Sequence, residues 1–290
     1  MLRHLKIRSE FLQIGWVLAR HDALLPFQET RFAPFTALLC RLFRRRSSLR
    51  PGERLALALQ QLGPSFIKFG QSLSTRSDFL GEEIAHDLGN LRDNLPPFPA
   101  SEVRRIIEED LGQPVAALYR NFSDEPIAAA SIAQVHFAVT TEGDAVAVKV
   151  LRPQVREQFA RDIELFRWVA ELLATHPELA RYKPREVVQT FAESVQMELD
   201  LRFEAAAASE LRENMAEDKD FYIPQIFWSR TSGRVLTLER LNGTRISDIA
   251  KLKAQGHDFR KLLTIASEAF FNQVFRDGYF HADLHPGNLF

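Results

Sequence analysis

Gln134-Val135-His136-Phe137-Ala138-Val139-Thr140, Thr141-Glu142-Gly143-Asp144 and Ala145-Val146-Ala147-Val148-Lys149-Val150-Leu151 follow one another without interruption. Two segments of period-two alternation flank a short polar stretch with a glycine, the pattern of a β-hairpin turning at Glu142-Gly143-Asp144. On the second strand Ala145, Ala147 and Lys149 share one face, while Val146, Val148 and Val150 point to the other. Small alanines beside a lysine leave room for a flat ligand whose phosphates the ammonium can reach. A lysine ending an apolar strand is also an ordinary edge or snorkelling residue. The strand alone leaves both readings open.

Outward from the hairpin the period is helical on both sides. Towards the N-terminus, residues 53–77 carry Leu55, Leu59, Leu62, Phe66, Phe69 and Leu73 on one stripe, with a break predicted at Pro64. A second helix is predicted over 81–93, ended by Pro96-Pro97-Phe98-Pro99. A third runs from Ser101 to Leu111, with Gly112 and Pro114 as stop signals. Beyond the hairpin, helical spacing returns at Phe159, Ile163, Phe166, Ala170 and Leu173 and again through 184–215. Ile223–Trp228 and Arg234–Leu241 read as two strands around Thr231-Ser232-Gly233, and helices near 246–254 and 258–277 follow. This order predicts a mixed α+β domain preceded by a helical extension.

Composition bounds the function classes. Of 290 residues, 46% are hydrophobic and 26% charged, which excludes a disordered or collagen-like chain. A net charge of −1 gives no overall basic field for nucleic acid. The one cysteine, Cys40, excludes a disulfide framework and a cysteine-based zinc site, and fits a reducing compartment. No apolar run reaches the roughly 18 residues of a membrane span, and the charged first 25 residues hold no signal-peptide core. Charge is uneven, however. Residues 1–50 hold ten Lys or Arg against three acids, a net +7, with Phe35, Leu38, Leu39, Leu42 and Phe43 at helical spacing beside Arg41, Arg44, Arg45 and Arg46. Such a helix can lie on an anionic membrane, or the segment can be a solvated arm.

Four further constellations bear on chemistry. Val146-Ala147-Val148-Lys149 matches the V-A-I-K pattern of protein kinases, and Asp283 and Asn288 in His281-Ala282-Asp283-Leu284-His285-Pro286-Gly287-Asn288 keep the five-residue spacing of the kinase catalytic loop. That chemistry needs a carboxylate to orient the attacking hydroxyl and an amide oxygen to hold Mg²⁺. His281, Asp283 and His285 alternate, so the same stretch also reads as a zinc or iron ligand set. Glu198, Asp200 and Glu204 are the candidate carboxylate partners of Lys149. At about 100° per residue Asp200 and Glu204 share a helix face, whereas Glu198 and Asp200 lie nearly opposite, so one straight helix cannot aim both at one cation. Ala128-Ala129-Ala130-Ser131 leads into the hairpin where kinases carry a glycine-rich loop. Alanine permits close backbone approach to phosphate but forbids most positive-φ conformations, which predicts a stiffer loop. Lys68, Gln71 and Thr75 form a polar stripe on the first helical stretch, a pattern equally suited to a solvated face.

In this order, Lys68-Phe69-Gly70-Gln71, Ala128 to Ser131 with Ile132-Ala133-Gln134-Val135-His136, Lys149, Glu198-Leu199-Asp200 and His281 to Asn288 resemble the UbiB family of atypical protein-kinase-like proteins, over about residues 50–290. The resemblance implies a protein-kinase-like fold divided into a basic segment (1–50), a helical extension (51–120), an N-lobe (121–241) and the start of a helical C-lobe (242–290). It implies binding of ATP with Mg²⁺. Ala128, Ala129, Ala130, Ser131, Ile132, Ala133, Gln134 and Val135 would line the nucleotide, and Lys149 would contact its phosphates and pair with Glu204. Asp283 would be the catalytic aspartate and Asn288 a metal ligand. The helix bearing Lys68 and Gln71 would fold over the active site in a regulatory role, helped by Glu198 and Asp200. The implied role is support of ubiquinone biosynthesis at the cytoplasmic side of the inner membrane, by kinase or ATPase chemistry. The implied partners are ATP and ADP, an anionic membrane surface, quinone-precursor lipids and other proteins of that pathway, with no nucleic acid. The departure is at the end: a second metal-binding aspartate should follow the catalytic loop, and the sequence stops two residues after Asn288. A fragment or an incomplete kinase fold is expected, with Leu284, Leu289 and Phe290 short of packing partners. A non-catalytic nucleotide- or lipid-binding module and a His/Asp metal enzyme are the alternative functions.

Overall fold

The computed structural model describes residues 13–23, 48–91, 95–282 and 289–290. Cys40, the basic stretch from Phe35 to Arg46, and Asp283, Leu284, His285 and Asn288 lie outside the described residues. In chain order the main elements are α1 (Pro51–Leu62), α2 (Pro64–Leu73), α3 (Glu82–Gly89), α4 (Ala100–Leu111), β1 (Tyr119–Ala129), β2 (Ala133–Thr140), β3 (Ala145–Leu151), α5 (Val155–Ala174), α6 (Pro184–Glu198), α7 (Leu201–Asn214), β4 (Val235–Glu239), α8 (Ile249–Ala254) and α9 (Phe259–Phe271). The fold is mixed α+β, with a four-stranded sheet in the order β1-β2-β3-β4. The chain forms two compact units.

The first unit takes residues 1–97, 129–133 and 152–196. The predicted break at Pro64 is real. Pro51 and Pro64 each open a helix, where a missing N–H costs nothing, and Gly63 between them adopts a φ of 110° that favours glycine. The apolar stripe of α2 packs on α5 and α6 through aromatic rings. Phe69 stacks on Phe166 at 4.5 Å and meets Phe191 edge-on at 5.1 Å, and Phe66 meets Phe166 edge-on at 5.0 Å. Such pairs add about 0.5–1.5 kcal/mol each beyond their burial. Gly70 allows α2 to approach its neighbours closely, since a Cβ there would fall 2.6 Å from Leu59 and 2.7 Å from Leu91. Arg50 reaches the buried carboxylate of Asp87, and Arg54 bonds Asp22 at 2.8 Å, fastening the helical residues 13–20 and their following turn to α1.

The second unit takes residues 98–128, 134–151 and 197–290. The hairpin forms as its alternation predicts, with Thr140 N–H bonded to Asp144 O at 2.9 Å across the turn. Strands β3 and β4 are antiparallel, pairing Ala147 with Leu238, Val148 with Thr237 and Lys149 with Leu236. One sheet face is closed by α4. Val103, Ile106 and Ile107 from the helix pack with Tyr119, Ala138, Val146, Val148, Val150 and Val235 in one buried cluster. Fully burying each such aliphatic side chain contributes about 1.5–3 kcal/mol. The other face carries Lys149.

Three secondary-structure expectations need correction. Strand β1 begins at Tyr119, well before the change of period at Pro126, and it includes Ala128 and Ala129, which were expected in a loop. Pro126 is tolerated because β1 is an edge strand. Ile223–Trp228 is not a strand. It makes a single bridge, Ile226 to Leu238, and then a 3₁₀ turn over Trp228–Arg230. Pro224 lacks the N–H that a longer ladder needs. Finally, no single helix runs through 198–204. Helix α6 ends at Glu198, and Asp200 is extended (φ −124°) as the N-cap of α7.

Candidate functional site

The site grows from β3. Val146, Val148 and Val150 anchor the strand in the core, which forces Ala145, Ala147 and Lys149 onto the opposite face. On β2, Ala138 joins that same core, so Val135, Phe137 and Val139 share the lysine's face and are half-buried. Helix α7 packs against β4 and covers part of this face, burying Leu236. Its start is pinned in two ways. Asp200 accepts from Arg202 N–H at 3.2 Å, and Leu201 N–H donates to Gly233 O at 3.1 Å. With Leu201 and Ala205 buried, Glu204 is turned towards β3. Lys149 Nζ donates to Glu204 Oε2 at 2.7 Å, with the lysine side chain 26% and the glutamate 50% exposed.

Of the three acidic candidates, Glu204 alone is seen bonded to Lys149. Asp200 holds the guanidinium of Arg202 through two oxygens, at 2.9 and 2.5 Å. The helix break explains the division of labour: a capping aspartate turns to the first turn of its own helix. Glu198 ends α6, separated from Asp200 by the buried Leu199.

The residues expected to line a nucleotide fall into distinct roles. Ala128 and Ala129 end β1, Ala130 to Ile132 make the turn, and Ala133, Gln134 and Val135 open β2. Ala130 N–H bonds Ala133 O at 2.8 Å, closing the turn. Ser131 is buried, and its hydroxyl has no hydrogen-bond partner among the described residues. Arg152 grips this turn: its backbone N–H donates to Ile132 O at 2.8 Å and its Nε to Ala130 O at 2.9 Å. Gln134 is fully buried on the face away from Lys149. Its Oε1 accepts from Phe98 N–H at 3.0 Å, and its Nε2 donates to Phe98 O at 3.2 Å and to His136 Nε2 at 2.9 Å. Because Ser123 O, 2.8 Å from His136 Nδ1, can only accept, that nitrogen carries the proton. With Nε2 accepting from the Gln134 amide, the imidazole is neutral, and burial pushes its pKa below the ordinary value.

Lys68 and Gln71 belong to the first unit, and Lys149, Glu198, Asp200 and Glu204 to the second. Gln71 Nε2 donates to Leu91 O at 3.2 Å, so this end of the polar stripe bonds a neighbouring segment. Asp283 and Asn288 lie outside the described residues, as does most of the alternating His281, Asp283 and His285 set. Among the described residues no group of three His, Cys, Asp or Glu side chains is placed to hold a metal ion.

Sequence reasoning passed over three features. Gln273 sits in a π-helical turn, Asn272–Asp277, and is fully buried; its Oε1 accepts from His281 N–H at 3.0 Å. Its only signal is a pair of amides, Asn272-Gln273, set among the phenylalanines of a helical run, with Gln273 eight residues ahead of that histidine. Arg240, just past β4, lies 3.6 Å over the ring of Phe137. A cavity of about 550 Å³ opens beside the chain that follows β4, between Asn242, Gly243, Thr244, Lys251, Gln255 and Phe290.

The donor set fits phosphate chemistry. A part-buried ammonium held by a carboxylate, beside two small alanines on one sheet face, is a fixed cation with little side-chain bulk around it. Comparison with known proteins agrees. The ABC1 atypical kinase-like domain profile matches residues 90–290. A protein of Marinobacter nauticus named "Probable protein kinase UbiB" is 44% identical over 287 residues, covering 97% of this chain and 52% of the relative. Its counterpart in Pseudomonas paraeruginosa is 45% identical over 282 residues, covering 97% and 51%. The chain thus spans about half the length of the curated relatives it matches. Among solved structures, Rv3197 of Mycobacterium tuberculosis, solved as a complex with erythromycin, superposes with a TM-score of 0.57 at 28% identity, over 88% of this chain and 62% of that one. With the lysine–glutamate pair in place and the profile running to residue 290, the chain belongs to the UbiB family of ABC1 atypical kinase-like proteins.

Proposed function

We propose that this chain binds ATP with Mg²⁺ and carries the nucleotide-handling part of a UbiB-type atypical kinase or ATPase. The observation that carries the reading is the 2.7 Å pair between Lys149 and Glu204 on the open face of the sheet. In phosphoryl transfer there is little covalent work for the protein to do, so positioned charge supplies most of the catalysis. Lys149 would hold phosphate oxygens, with Glu204 fixing its side chain. The backbone of Ala128 to Val135 would run beside the phosphates; Gln134 would serve by holding β2, since its own polar atoms are already engaged. Asp283 would orient the attacking hydroxyl or water, and Asn288 would hold the metal. When bound, Mg²⁺ would neutralise charge on the transferring phosphoryl group. Lys68, Gln71, Glu198 and Asp200 would regulate access.

The role proposed for the chain is support of ubiquinone biosynthesis, as a peripheral protein on an anionic membrane surface with quinone-precursor lipids and other proteins of that pathway as partners. The net +7 of residues 1–50 supports a membrane partner. No helix among the described residues is long and apolar enough to cross a membrane. The test is Mg²⁺-dependent release of phosphate from ATP by the full chain and by Asp283→Asn. Release that falls at least a hundredfold in the variant supports the reading. Equal release from both proteins removes Asp283 from it. Saturable nucleotide binding without any release points to the non-catalytic module instead.

A further inference from the structure

Arg152 makes contacts that its place in the sequence, one residue beyond β3, does not announce. Its Nη2 donates to Pro96 O at 3.0 Å and to Leu95 O at 3.3 Å, its Nε to Ala130 O at 2.9 Å, and its backbone N–H to Ile132 O at 2.8 Å. These four acceptors are peptide carbonyls from two separate stretches of the first unit. One is the proline-rich segment before α4, and the other is the turn between β1 and β2.

The chemistry of those acceptors matters. A guanidinium presents its donors in a planar fork, so bonding Ala130 O through Nε and Pro96 O through the adjacent Nη2 fixes the turn against the segment at 95–96. Arg152 is in part withdrawn from solvent, so these carbonyls hold its guanidinium in a set place. The turn it holds contains Ala130, Ser131 and Ile132. Alanine cannot supply the conformational freedom by which glycine-rich loops fold around phosphate, so a loop of this composition must be given its shape from outside. The Ala130 N–H is tied to Ala133 O, which leaves a turn of set shape instead of a flexible flap.

We propose that Arg152 is the positioning residue of the alanine loop: its guanidinium holds the Ala130–Ile132 turn in the conformation that receives the phosphates of a nucleoside triphosphate. This rests on the reading of the loop as a nucleotide site. Arg152 needs no contact with the nucleotide itself. Lysine cannot replace it, because a single ammonium cannot span Ala130 O and Pro96 O in one plane.

The test compares wild type, Arg152→Lys and Arg152→Gln as full chains, measuring affinity for Mg-ATP and, separately, for adenosine. Both variants are expected to bind Mg-ATP about tenfold more weakly while adenosine affinity stays within twofold. Amide hydrogen exchange at residues 129–133 should quicken in Arg152→Lys while Val103, Ile106 and Ile107 keep their protection, which separates loosening of the turn from loss of fold. The proposal is overturned if Arg152→Lys behaves as wild type, since charge and not the clamp would then be what matters. It is also overturned if adenosine and Mg-ATP weaken together, or if exchange at the turn is unchanged. A wild-type chain that binds adenosine but not Mg-ATP, or neither, overturns the nucleotide reading and this proposal with it. Tight Mg-ATP binding by every variant overturns this proposal alone.

Discussion

Replacing Gln134 removes one side chain that bonds three groups, the buried His136 Nε2 and the part-buried backbone N–H and C=O of Phe98. Its amide oxygen faces Phe98 N–H, and its amide nitrogen faces both Phe98 O and His136 Nε2, with Gln134 and His136 both almost completely buried. A buried donor or acceptor left unpaired costs about 1–3 kcal/mol. In Gln134→Leu the volume is nearly kept, so the buried His136 nitrogen loses its partner in full and the two part-buried Phe98 groups in part, which together should cost about 2–4 kcal/mol. Gln134→Ala adds a cavity, but one large enough for water to reach the same groups, and should cost a similar amount. The assay is equilibrium unfolding in urea, read as a lower midpoint at unchanged slope. The reasoning fails if Gln134→Leu lies within about 0.5 kcal/mol of wild type, the scale of a neutral surface substitution. Gln134 would then be a tolerated polar residue, and its effect on nucleotide binding would have to be sought in the ligand.

Two further outcomes follow from the same geometry. Glu204→Gln should barely change stability, because a pair exposed to this degree contributes about 0.2–1 kcal/mol, worth at most about 3 °C in melting temperature; Mg-ATP affinity should nevertheless fall about tenfold, and a large loss of stability at unchanged affinity would contradict the assignment. His136 is held neutral below its ordinary pKa of 6.5, chiefly by burial, with Arg104 and Asp124 as the neighbouring charges. The unfolded chain takes up the proton first as pH falls, so stability from this group is complete above about pH 6.5 and is lost on the way down to the folded value. Urea midpoints that stay flat between pH 6.5 and 5.5 would show that the imidazole is not so constrained.

Much of the fold was legible in the sequence because local signals and packing agree. The alternation of Gln134 to Leu151 yields the hairpin, Pro64 opens one helix and Gly112 ends another where their backbone chemistry requires it, and Ala145 and Ala147 share the face of Lys149. The errors have physical causes. Strand β1 is polar along much of its length, with Ser123-Asp124-Glu125-Pro126 at its centre, so only its pairing with β2 makes it a strand. Ile223 to Trp228 has strand composition, but Pro224 and the 3₁₀ turn at Trp228 limit it to one bridge. Helical periodicity through 184–215 is blind to a single extended residue, and Asp200 is that residue. The consequence for the site is large, since the break assigns Glu204 to Lys149 and Asp200 to the cap. Gln134 and Arg152 could not be read from spacing at all, because their partners, Phe98 and the carbonyls at Leu95 and Pro96, are distant in the chain.

The central claim is that the Lys149–Glu204 pair marks a nucleotide site. Titration calorimetry of the full 290-residue chain with Mg-ATP tests it most directly, run beside Lys149→Ala with melting temperatures recorded for both. The account predicts saturable binding at one site per chain, weakened at least tenfold in the variant while its melting temperature moves by no more than a few degrees. Failure of the wild-type chain to bind Mg-ATP, or equal affinity in Lys149→Ala, would contradict it.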